Sequence, residues 1–204
     1  MSVLLSGAGR TLENLLRVVA RGELPIEIVS VISSVPDVRG LEVARDAGIP
    51  ATTIVRKGHP SVASYSEAMY AALEPYAPDL ILMAGFLRQM LVLPGWEGRI
   101  LNIHPALLPE ASSYAAGKGL FGERVHQAVL AHGDRVTGAT VHLVTDDYDQ
   151  GPPLLRVEVP VLEDDTSVTL GTRVFHAECD LYPEAIRRYM TANPHLRKSR
   201  SVSD

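Results

Sequence analysis

Val3-Leu4-Leu5-Ser6-Gly7-Ala8-Gly9-Arg10-Thr11 opens the chain with a short apolar run and two glycines, and an amphipathic stretch follows over Thr11–Arg21. An apolar run without alternation suits a parallel strand covered on both faces, and the glycines suit a tight turn into a helix. The same unit recurs downstream. Strands are expected at Val3–Ser6, Ile26–Ser33, Thr52–Val55, Asp79–Met83 and Ile100–His104. Helices are expected at Thr11–Arg21, Gly40–Ala47, Ser61–Tyr76 and, briefly, Phe86–Leu93. Such alternation marks βαβ units. Gly48-Ile49-Pro50 ends one helix and Ala77-Pro78-Asp79 opens the strand after another, as helix-stop and turn chemistry requires.

After His104 the texture changes. Pro105–Gly122 is rich in Ala, Ser, Gly and Pro without a period, and reads as a long loop of the kind that often serves function. A helix at Glu123–His132 follows, then strands at Thr137–Val144 and Leu154–Val161 around the acidic turn 145–151, then a long helix at Thr166–Met190. The expected fold class is α/β: a Rossmann-like, mostly parallel twisted sheet with helices on both faces, a C-terminal antiparallel hairpin and a long helix. No internal repeat or linker interrupts it, so one domain is expected over residues 1–192, with a flexible tail over 193–204.

Composition narrows the function. The 204 residues are 46% hydrophobic and 21% charged, with a net charge of -5, and the only basic cluster is Arg197, Lys198 and Arg200 near the end. Gripping nucleic acid normally requires a basic face, so no nucleic-acid partner is expected. The single cysteine, Cys179, rules out a disulfide framework or a thiolate metal cluster within one chain. No window approaches the roughly 18 apolar residues of a membrane span, and the N-terminus has no basic stretch followed by a long apolar run. The expectation is a cytoplasmic protein without a membrane partner.

Three segments carry candidate chemistry. The loop Ser6-Gly7-Ala8-Gly9-Arg10-Thr11 leads from a strand into a helix, where backbone N–H groups can meet an anion. Arg10 could add a bidentate contact to a phosphate, and Thr11 could cap the helix or donate its hydroxyl. The loop lacks the third glycine of a dinucleotide fingerprint and the Lys-Ser/Thr of a P-loop. Two readings stay open: a phosphate site, and a turn that only suits the backbone.

Leu101-Asn102-Ile103-His104-Pro105 is the most informative segment. Residues two apart on a strand share a face, so Asn102 and His104 project together. Pro105 forces the chain out of the strand and leaves both at its carboxyl end, where open α/β sheets hold ligands. The pair supplies a neutral donor for an oxyanion and a group that exchanges protons near pH 7. A structural histidine is the competing reading. The acidic turn carries Asp146, Asp147 and Asp149, which fit a solvated hairpin turn or a carboxylate that orients His104.

Asn102-Ile103-His104-Pro105 with Leu107-Leu108-Pro109, followed by Gly138-Ala139-Thr140-Val141-His142 and Asp149-Gln150-Gly151-Pro152, resembles the folate-dependent formyltransferases. The resemblance covers residues 1–190, and within the family it is strongest to members that formylate glycinamide ribonucleotide in purine synthesis. It implies that Asn102, His104 and Asp149 are the catalytic trio. It implies further that Gly9, Arg10 and Thr11 hold the acceptor's phosphate and that Glu178 contacts the acceptor. By the same resemblance Leu87, Arg88, Gln89 and Met90 line the folate pocket, with Val144 and Asp147 on its other wall. The co-substrate implied is 10-formyltetrahydrofolate, without a metal. Some members pair through the sheet region, so a homodimer is carried over as an expectation. Departures cluster on the acceptor side: members often carry Asn-Gly-Ser-Asn where this chain has Ala8-Gly9-Arg10-Thr11, usually have glycine where it has Gln150, and only some carry an insertion like Tyr114–Gly122.

The chemistry implied is direct transfer, the acceptor amine attacking the formyl carbon while Asn102 and protonated His104 hold the oxyanion. The rivals are a formyltransferase acting on another phosphorylated amine, such as an amino-sugar nucleotide, and a folate- or nucleotide-binding module without catalysis.

Overall fold

The computed structural model describes residues 1–117 and 119–196. Seven strands form one sheet: β1 (Ser2–Leu5), β2 (Ser30–Ser33), β3 (Ala51–Thr53), β4 (Ile81–Met83), β5 (Ile100–His104), β6 (Val136–Leu143) and β7 (Pro153–Pro160). Their order is β3-β2-β1-β4-β5-β6-β7. The first five strands run parallel, whereas β6 lies antiparallel to β5 and β7 antiparallel to β6. Among the described residues five α-helices complete the fold: α1 (Arg10–Ala20), α2 (Arg39–Asp46), α3 (Val62–Leu73), α4 (Glu123–His132) and α5 (Ser167–Ala192). The expected α/β architecture, with its hairpin and long final helix, is what the chain adopts.

The apolar runs sort by alternate residues into two packed layers. Val3 and Leu5 of β1 join Leu12 and Leu15 of α1 and Val174, Tyr182 and Ile186 of α5. Leu4, between them, joins Tyr65 and Met69 of α3 on the opposite face. Every residue of β1 and β2 is buried, and their buried serines pair across the strands, Ser2 Oγ to Ser30 Oγ at 2.6 Å. A parallel strand covered on both faces has no water to satisfy such groups, so protein partners must, and Ser33 Oγ accordingly donates to the Val35 carbonyl.

The chain builds outward from β1 to β3, then returns across β1 to add β4. Strand order therefore reverses between β1 and β4, and the crevice at their carboxyl ends is where such sheets bind ligands. α3 is capped by Ser61, whose side chain accepts from the Ser64 N–H, and Thr166 with Thr169 forms a capping box before α5.

Two expectations need correction. Phe86–Leu93 is not a helix but an irregular segment. Its amides are taken by side chains from elsewhere: Leu87 N–H donates to Ser6 Oγ, Leu91 N–H to Ser66 Oγ, and Val92 N–H to the Asp146 carboxylate. Amides committed in this way cannot close a helical ladder. β2 begins at Ser30, four residues later than expected, although Val29 N–H already bonds Met1 O. Beyond α5, Pro194–Leu196 forms a 3-10 turn with Leu196 buried. The rest of the expected tail, 197–204, lies outside the described residues, as does Lys118.

Candidate active site

At the carboxyl ends of β1, β4 and β5 the fold encloses a cavity of about 860 Å³. That lies within the roughly 300–1,000 Å³ of small-molecule sites. Its walls come from the start of α1, the segment after β4, the end of β5, the loop before α4, the turn between β6 and β7, and one face of α5.

Asn102 and His104 project together from β5. The antiparallel register of β6 sets His142 directly opposite Asn102 and Thr140 opposite His104. Asp149 closes the cluster from the turn, in a left-handed conformation with φ of 53°. His104 is 4% exposed. Its Nε2 lies 2.8 Å from the Ala115 carbonyl, and its Nδ1 lies 3.6 Å from Asp149 Oδ2. A carbonyl only accepts, so Nε2 carries the hydrogen and the neutral ring keeps its lone pair on Nδ1. A proton added there would point at the carboxylate. Asp149 Oδ2 also accepts the Gly117 N–H at 2.9 Å.

Asn102 Nδ2 lies 3.1 Å from His142 Nε2 and 3.4 Å from Asp149 Oδ1. His142 Nδ1 is 2.9 Å from the Leu143 carbonyl, so the neutral ring carries its hydrogen on Nδ1 and Nε2 accepts from Asn102, while a ring protonated at Nε2 as well would face Asp149 Oδ1 at 3.6 Å. One Asn102 hydrogen is thereby committed. The other makes only a long contact with Asp149, which a substrate oxygen can replace.

The electrostatics separate the two central groups. Burial pushes the His104 imidazole below its ordinary range, outweighing the attraction of Asp149. Burial also pushes the Asp149 carboxyl up. The neighbouring His142 and His104 rings and the Gly117 N–H together outweigh it, so that carboxyl lies below its ordinary range. The resting pair is a neutral imidazole facing an ionised carboxylate, arranged so that a proton gained by the ring is stabilised at once.

The same cavity is lined by the other expected residues except Gly9. Leu87, Arg88, Gln89, Met90, Val144 and Asp147 line it, and so do Arg10, Thr11 and Glu178, the last close enough to feel the Arg10 charge. Gln89 Nε2 donates to the Asp146 carbonyl at 3.1 Å, joining the segment after β4 to the turn between β6 and β7. The three acids of the turn thus have distinct positions: Asp146 holds Val92, Asp147 is exposed at the wall, and Asp149 meets His104. Gly9 does not line the cavity. It takes φ of 75°, and a Cβ there would lie 2.6 Å from Gly40 Cα, so it shapes the turn by close packing. Burial raises the Glu178 carboxyl to about 8 against the opposing charge of Arg10. No group of three or more His, Cys, Asp or Glu among the described residues could hold a metal ion. No helix among them is long and apolar enough to cross a membrane.

A model of the Formyl transferase family matches residues 1–186. The chain belongs to this family. Phosphoribosylglycinamide formyltransferase of Escherichia coli (strain K12) is 34% identical over 90% of this chain and 84% of its own length. The trifunctional purine biosynthetic protein adenosine-3 of Gallus gallus is 39% identical over 92% of this chain, which spans only 18% of that longer protein. Among solved structures, glycinamide ribonucleotide transformylase 1 from Symbiobacterium toebii superposes with a TM-score of 0.83 at 39% identity, over 94% of this chain and 87% of that one.

For a formyl transferase the site holds three side chains that the sequence did not single out. His142, 2% exposed, sits against Asn102 and Asp149; pairing the hairpin against β5 would have found it. Phe175 lies one turn before Glu178 on the same face of α5, and helical spacing from Glu178 is the signal that could have found it. His126 of α4 is buried against Gly171 with an unpartnered Nδ1, and no sequence signal marked it.

Proposed function

We propose that the protein transfers the formyl group of 10-formyltetrahydrofolate to the primary amine of glycinamide ribonucleotide. The observation that carries this reading is the buried His104–Asp149 pair with Asn102 beside it, set in a cavity wide enough for two substrates. The folate enters the end lined by Leu87–Met90, Val144 and Asp147, and the phosphorylated amine the end lined by Arg10, Thr11 and Glu178.

The amine nitrogen attacks the formyl carbon, and the carbonyl oxygen becomes an oxyanion. The second hydrogen of Asn102 Nδ2 and the Nε2 hydrogen of His104 are the donors offered to it, the former in exchange for its long bond to Asp149 and the latter for its bond to Ala115. Donors fixed before the charge develops cost no reorganisation during the reaction. Asp149 favours the imidazolium at Nδ1. A proton leaves the attacking amine and another reaches the folate nitrogen as its bond to the formyl carbon breaks, so the departing folate is neutral at that atom. Anchoring the phosphate away from the reacting carbon fixes the amine's approach. The reaction uses small molecules only, as the net charge of -5 supports, and every group invoked belongs to one copy of the chain in a cytoplasmic setting.

An acceptor panel with 10-formyltetrahydrofolate tests the assignment. Glycinamide ribonucleotide is expected to give the highest kcat/KM; turnover only with an amino-sugar nucleotide would overturn the acceptor and keep the transfer chemistry.

A further inference from the structure

Arg10 occupies the first position of α1, on the cavity wall, and its guanidinium carbon lies 3.6 Å from the centre of the Phe175 ring. It forms no hydrogen bond or ion pair with the described residues, so the ring is its holding contact. At this separation the guanidinium is in van der Waals contact with the aromatic face, which leaves N–H groups free around its edge. Glu178 stands one helical turn further along α5, lines the same cavity and is close enough to feel the Arg10 charge.

The neighbourhood explains why a ring suits position 175. A free arginine side chain samples many rotamers, and ordering it when a ligand arrives weakens binding. A carboxylate partner would order it but would compete with an incoming anion. An aromatic face orders the cation without neutralising it. The first amides of α1 and the Thr11 hydroxyl are further donors at the same helix start, and Thr11 lines the same cavity.

We propose that Phe175 is a positioning residue, its ring holding the Arg10 guanidinium in place to grip a phosphate monoester between that side chain and the first turn of α1. The proposal rests on the acceptor being a phosphorylated amine. α5 then reads both ends of the acceptor from one face: the phosphate through Phe175 and Arg10, and the amine end through Glu178.

Ribose 5-phosphate is the probe, because its binding can be measured by calorimetry without any transfer reaction. Phe175→Leu is expected to weaken it about fivefold, the scale of one partly exposed cation–π contact. The acceptor KM should rise by the same factor, with kcat and the folate KM unchanged. Phe175→Tyr, which keeps the ring, should restore both. In an Arg10→Ala background Phe175→Leu should have no further effect. Wild-type affinity for ribose 5-phosphate in Phe175→Leu, or an equal loss in the Arg10→Ala background, would overturn the proposal; an unchanged folate KM shows that each variant is folded. If glycinamide ribonucleotide is not turned over but sugar-phosphate binding follows this pattern, the function assigned above fails and the role of Phe175 stands.

Discussion

Replacing Glu178 with glutamine should stabilise the free protein, and the gain should grow with pH. The carboxyl is raised from 4.5 to about 8 because its surroundings disfavour the charge. The folded chain therefore holds this proton up to about pH 8, whereas the unfolded chain releases it near 4.5. Between those values folding takes up a proton, so this group's contribution to stability falls as pH rises through the window and is lowest above it. A shift of that size corresponds to roughly 5 kcal/mol at most. The side chain opens onto the cavity, where water screens it, so about 1–3 kcal/mol is the expected difference. Glutamine keeps the shape and carries no charge at any pH. Urea unfolding of wild type and Glu178→Gln, without ligands, should give similar midpoints near pH 5 and a clearly higher midpoint for the variant at pH 9. Parallel pH dependence in the two proteins would refute the reasoning, because it would mean that Glu178 ionises freely in the folded state.

Asp149→Asn should lower kcat about 10²–10⁴-fold, the scale of losing a positioned proton-transfer partner, while single-turnover and binding measurements show folate still bound; activity within threefold of wild type would count against the trio. His104 lies below its ordinary range through burial, so as pH falls the unfolded chain takes up this proton first and stability drops below about pH 6.5. His104→Asn should flatten that acid limb in thermal melts, and an unchanged limb would contradict it. Gly9→Ala forces a Cβ to within 2.6 Å of Gly40 Cα at φ of 75°. It should cost about 1–3 kcal/mol in urea unfolding and raise the acceptor KM by shifting the start of α1; a neutral effect on both would show that the turn is not constrained.

The fold was legible because its strands are uninterrupted apolar runs separated by helix-stop signals, both local features. Asn102 and His104 were legible for the same reason, since strand period and Pro105 place them without further contacts. What separates Asp149 from Asp146 and Asp147 is tertiary: the Gly117 N–H and the His104 ring on one side, the Val92 N–H on the other. None of those partners is near in sequence. The Phe86–Leu93 segment misled because its helical texture is local, while the side chains that claim its amides, Ser6, Ser66 and Asp146, come from three distant places. His142 needed the hairpin register, and the contact of Phe175 with Arg10 joins the first turn of α1 to α5.

Formyl transfer through the His104–Asp149 pair is tested most directly by following product formation from 10-formyltetrahydrofolate and glycinamide ribonucleotide with purified wild-type protein and His104→Ala. The expected result is stoichiometric formylated amine and free tetrahydrofolate from the wild type, with kcat reduced about 10²-fold or more in the variant. Transfer by His104→Ala at the wild-type rate, or no transfer to any amine by the wild type, would contradict it.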